Sequence, residues 1–70
     1  MNYSKFLFSQ LIRDIIETKY GIEYDILFDV SQIIYRDYFD SKYNNVNKPE
    51  YECMTEYIKD NTEKIKTYFN

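Results

Sequence analysis

The sequence predicts a small all-α fold, either a three-helix bundle or a helical hairpin completed by dimerisation. Apolar residues recur at intervals of three and four along most of the 70 residues, which is the period of one helical face rather than of a strand. Glycine and proline occur once each, at Gly21 and Pro49, where they punctuate the periodic segments instead of interrupting them. No internal repeat, low-complexity tract or linker divides the chain, so residues 1–70 read as a single helical domain.

The first helix is expected over residues 5–20, with Ser4 as its N-cap. Phe8, Leu11, Ile12, Ile15, Ile16 and Tyr20 line one face at i, i+3, i+4, i+7 spacing. Gly21 suits the left-handed position just past the helix, and Ile22 can fold back on Ile16 to close a Schellman stop. Phe6 projects from the polar side, among Gln10, Arg13 and Glu17.

The second helix is expected over residues 23–43, and it is apolar on two sides. Ile26, Leu27, Val30, Ile33 and Ile34 make an aliphatic face, while Tyr24, Phe28, Tyr35 and Phe39 make an aromatic stripe with Ser31 and Tyr38 beside it. At about 100° per residue the two sets point in roughly opposite directions. Two neighbouring helices shelter only part of such a circumference.

Asn44, Asn45 and Val46 read as a turn. Asn47 then offers an N-cap, Glu50 the matching position of a capping box, and Val46 a hydrophobic staple onto Tyr51. Pro49 falls in the first turn, where its missing N–H costs little. A third helix over residues 48–69 follows, with Tyr51, Met54, Ile58, Ile65 and Tyr68 as its stripe, Phe69 alongside and Asn61 interrupting it. On the outer side Asp60 is spaced to pair with Lys64, and Glu63 with Lys66. Asp37 and Lys19 fall near the centres of their helices' apolar faces, where they either meet or lie beyond the buried stretch.

Length and composition exclude several function classes. A chain of this size buries only about 60% of its unfolded surface, so small scaffolds usually gain a disulfide, a metal or a partner chain. Cys53 is the lone cysteine and there is no histidine, so neither an intrachain disulfide nor a zinc site is expected. Association remains as the supplement. No run approaches the roughly 18 apolar residues of a membrane span, and no export signal is visible at the start, which points to a cytoplasmic protein. The abundance of Asn, Lys, Ile, Tyr and Phe, with no alanine, follows AT-rich codons.

The sequence offers little to catalysis, and no enzyme activity, cofactor or metal is expected. Without histidine the commonest general base is missing, and one glycine makes no phosphate loop. Asp25 with Asp29, and Glu52 with Glu56, are i, i+4 carboxylate pairs, the pattern of a solvated acidic face more often than of a cation site. Cys53 has no activating neighbour in the sequence and reads as a semi-buried thiol. Direct nucleic-acid binding is disfavoured too. Nine tyrosines offer stacking surfaces, but the net charge is −3 and no basic face accompanies them.

The run Tyr51-Glu52-Cys53-Met54-Thr55-Glu56-Tyr57-Ile58-Lys59-Asp60-Asn61 resembles the third-helix signature of the YozE-type, sterile-alpha-motif-like bacterial proteins. The resemblance covers about eleven residues, and the family's Phe-Pro step and Trp-containing tail have no counterpart here. It implies a small helical interaction domain.

These features together point to a protein-binding module of the kind carried by phages and mobile elements, which inhibits or modulates a host protein by steric occlusion, as anti-CRISPR and other anti-defence proteins do. The partner is a host protein or a second copy of the chain. Tyr24, Phe28, Tyr35, Tyr38 and Phe39 are the expected contact residues, because aromatic rings bury large areas with few torsions to freeze. The alternatives are a small dimeric DNA-binding regulator and a structural subunit of a larger assembly.

Overall fold

Among the described residues four helices follow one another: α1 (Tyr3–Ile15), α2 (Tyr24–Phe39), α3 (Glu50–Asp60) and α4 (Thr62–Thr67). A computed structural model describes residues 3–16 and 24–69, with the backbone alone at Tyr24, and every regular element among them is helical. The all-α architecture expected from the periodicity is the one the chain adopts.

α1 is the central helix. It buries Phe8, Ser9, Leu11 and Ile12 and packs along both α2 and α3. Phe8 sits at the middle of an aromatic core, edge-on to Tyr35 with centroids 5.5 Å apart, stacked on Tyr38 at 5.4 Å and tilted against Tyr57 at 6.2 Å. α2 meets α3 where Tyr38 lies 5.5 Å edge-on to Tyr57. Leu27, Ile34, Met54, Ile58 and Ile65 complete the same buried cluster. The molecule is flat, 36 × 27 × 17 Å, because α1 is interposed between its neighbours rather than stacked above both.

Several helix boundaries differ from the expected ones. α1 is already helical at Tyr3, so Ser4 is not its cap; the Ser4 hydroxyl instead donates to Glu50 at 2.9 Å and ties the starts of α1 and α3 together. The chain bends at Ile16, whose N–H still bonds the Ile12 carbonyl. The Schellman stop at Gly21 and Ile22, the residues Tyr20 and Lys19, and the start of the second helix at residue 23 lie outside the described residues.

α2 stops at Phe39, not at residue 43, because side chains take over its last carbonyls. The Ser41 hydroxyl donates to the Tyr38 carbonyl and the Asn44 amide to that of Phe39. The loop that follows is held by an Asx turn, Asn47 N–H to the Asn45 side chain at 2.8 Å. Tyr43 packs edge-on to Tyr57 and donates its hydroxyl to Asp60 at 2.8 Å.

The expected capping box is absent. α3 starts at Glu50, with Pro49 at the capping position and no side-chain hydrogen bond to the first turn. Val46 is 94% exposed, so it forms no staple. Asn47 gives its backbone N–H to the Asx turn and stands two residues before the capping position. The stripe of this helix is also rotated from the expected one. Cys53 and Tyr57 are buried with Met54 and Ile58, whereas Tyr51 is exposed.

Asn61 divides α3 from α4. Its side-chain amide donates to the Tyr57 carbonyl at 2.9 Å, while its own carbonyl receives Ile65 N–H at 2.9 Å. The chain bends there and returns Ile65 to full burial. Of the two expected ion pairs, Glu63 and Lys66 stand 3.8 Å apart, while Asp60 is engaged by Tyr43 instead of Lys64. Asp37 is exposed and receives a long hydrogen bond from the Tyr68 hydroxyl, 3.5 Å.

Candidate protein-binding surface

α2 has a single buried face. Leu27, Ser31, Ile34, Tyr35 and Tyr38 point inward, at the i, i+4, i+7, i+8 spacing of one stripe. Phe28 and Val30 are half-buried at its two edges. Asp25, Ile26, Asp29, Gln32, Ile33, Arg36, Asp37 and Phe39 are exposed.

The division into an aliphatic and an aromatic side therefore does not survive. Each set is split by the same boundary, because α1 covers a sector set by its own position and not by side-chain chemistry. Among the expected contact residues, Tyr35 is 9% and Tyr38 1% exposed, so both pack into the core around Phe8, and of the two only Tyr35 keeps an edge at the surface. Phe28 is at the margin. Phe39 is 57% exposed and, with its ring 6.2 Å from that of Tyr35, extends the core aromatics to the surface. The side chain of Tyr24 lies outside the described residues.

Ile26 and Ile33, part of the expected aliphatic face, are 48% and 58% exposed. Their surroundings held the clue. Asp25, Asp29, Asp37 and Asp40 bracket them along the chain, and a helix face so rich in carboxylates is rarely desolvated.

The second half of α2 borders an open groove lined by Lys5 of α1 and by Ile33, Tyr35, Arg36, Phe39 and Asp40. The groove is open to solvent and mixes apolar with charged side chains. Burial pushes the Tyr35 phenol above its ordinary range, and the nearby charge of Glu50 pushes it the same way.

Glu56 pairs with Lys48 at 3.1 Å, and that hydrogen bond holds the ammonium above its usual range. The Cys53 thiol is buried, deeper than the semi-buried position expected, and points its S–H at the Asn45 carbonyl, 3.5 Å away. Among the described residues no group of three or more Cys, Asp or Glu side chains is placed to hold a metal ion, and no helix is long and apolar enough to cross a membrane. Comparison of the chain with protein-family models, with curated proteins and with solved structures finds no match.

Proposed function

We propose that this chain is a small protein-binding module that docks through the outward side of α2 and blocks a surface of another protein, in the manner of phage-type or mobile-element inhibitors acting in a host cytoplasm. One observation carries the reading. Ile26, Ile33 and Phe39 stand about half exposed or more on a single helix, although the chain is short of core and would gain by burying them. Large apolar side chains left exposed along one helix are the usual anchors of an interface. The anchors are thus Ile26, Ile33 and Phe39, with Phe28 and Val30 at the rim, and occlusion requires no chemistry from the chain.

Affinity capture from a lysate of an AT-rich bacterium tests this, with the wild-type chain and an Ile33→Asp variant as parallel baits. The expected result is a protein held by the wild type and lost from the variant. Retention of the same proteins by both baits, or of none by either, defeats the reading.

A further inference from the structure

The outward side of α2 is acidic as well as apolar. Between Asp25 and Asp40 the chain carries four aspartates and one arginine, all exposed. The other eight acidic and eight basic residues cancel, so the whole net charge of −3 falls on this helix and its last turn. Among the described residues Asp25, Asp29 and Asp40 enter no ion pair, which leaves their carboxylates available to an incoming cation.

The apolar residues of the same side are ordered. Ile26, Val30 and Ile33 follow one another at i, i+4, i+7, the ridge that a helix laid alongside would pack into its groove. Asp25, Asp29 and Asp40 lie along one side of that ridge, and Asp37 continues it. A second copy of the chain on this face would set carboxylates against carboxylates, and the phosphates of a nucleic acid or an anionic membrane would be repelled in the same way. The complementary surface is an apolar stripe edged with lysine or arginine.

Resting on the docking role proposed above, we infer that the outer face of α2 receives an amphipathic basic helix of its protein partner. The leucine-like stripe of that helix covers Ile26, Val30 and Ile33, and its cations pair with Asp25, Asp29, Asp37 and Asp40. The bound helix becomes a further layer on a molecule whose thinnest dimension is 17 Å.

Three synthetic helices with one shared leucine stripe and flanks of lysine, glutamine or glutamate provide the test. Each is titrated by fluorescence anisotropy against the full chain, against an Ile26→Ser/Ile33→Ser variant and against an Asp25→Asn/Asp29→Asn variant, after circular dichroism has verified their helicity. The lysine helix is expected to bind about tenfold tighter than the glutamine helix and to weaken as salt rises to physiological strength. The serine variant is expected to lose about thirtyfold in affinity, and the asparagine variant to bring the lysine helix down toward the glutamine one. Equal binding of all three helices, lost in the serine variant, overturns the charge preference while leaving α2 as a docking face. Failure of the lysine helix to bind, or binding indifferent to both sets of substitutions, overturns the inference outright. So does a concentration-dependent dimer in sedimentation that the serine variant abolishes, since the face is then taken by a second copy.

Discussion

The phenol of Tyr38 is the most costly group in the core. Its ring is fully buried against Phe8 and Tyr57, yet its hydroxyl has no hydrogen-bond partner among the described residues, and neither does that of Ser31, two turns earlier on the same face. A buried donor left unpaired costs about 1–3 kcal/mol, whereas the ring contributes through packing. Tyr38→Phe is therefore expected to be neutral or to stabilise by up to about 1 kcal/mol, seen as a higher urea midpoint at unchanged slope. Tyr38→Ala removes the ring and should cost about 3–5 kcal/mol, enough to unfold much of the population. The same burial makes stability pH-dependent. Desolvation, with smaller contributions from Cys53, Glu50 and Tyr35, pushes the Tyr38 phenol from its ordinary 10.0 to about 12. The folded chain thus keeps a proton that the unfolded chain releases above pH 10, so this contribution is intact below 10 and is lost as pH rises toward 12. Tyr35 and Tyr57 are raised by burial as well, and they steepen the fall. A plot of melting temperature against pH should be flat below 10 and drop beyond it, less steeply for Tyr38→Phe than for the wild type.

Helix starts and stops, more than helix interiors, separate this chain from what its sequence suggests. Pro49 occupies the capping position of α3 with φ −56° and ψ 138°, and offers no acceptor to the first turn. Glu52 stands three residues later, where the second half of a capping box belongs. Pro49→Ser supplies the missing oxygen at a backbone geometry a serine adopts freely. The cap is worth about 1 kcal/mol, and the loss of the proline's rigidity in the unfolded chain takes back about half of that, so a net rise of roughly 0.5 kcal/mol in chemical denaturation is expected. Had Asn47 already capped the helix, the substitution would do nothing or destabilise. The existence and order of the helices were legible, because Phe8, Leu11 and Ile12, or Met54 and Ile58, mark buried faces at helical spacing whatever the neighbours are. The end of α2 was not, since Phe39 and Tyr43 continue its apolar pattern and only the side-chain bonds of Ser41 and Asn44 cut it short. Nor was the break at Asn61. Its backbone, at φ −117° and ψ 22°, is irregular without being left-handed, and no glycine or proline announces it.

At the scale of the molecule, the order of the layers decides which apolar residues are exposed, and a sequence does not state that order. With the middle helix of the chain also in the middle of the bundle, a neighbour would have covered Ile26 and Ile33 as well as Tyr35 and Tyr38. With α1 packed on both of the others that second side of α2 is left open, and of the five expected contact residues Phe39 alone stands well exposed among those whose side chains are described. A pair of isoleucines on different helices measures this arrangement directly. Ile12 is fully buried on the helix that touches both others, and Ile33 is 58% exposed. Ile12→Ala removes buried volume that neither flanking helix can refill without moving, at about 2–5 kcal/mol. A domain of 70 residues has a total stability of about 4–10 kcal/mol, so this single change should lower the melting temperature by ten degrees or more at the usual ~4–8 °C per kcal/mol of a small domain. Ile33→Ser replaces one residue of middling helix propensity by another at a solvated site and should move stability by no more than about 0.5 kcal/mol. Thermal melts followed by far-ultraviolet circular dichroism distinguish the two outcomes. A melting temperature depressed as far by Ile33→Ser as by Ile12→Ala would mean that α2 already has a covering layer, and the face assigned here to a partner would belong to the chain's own core.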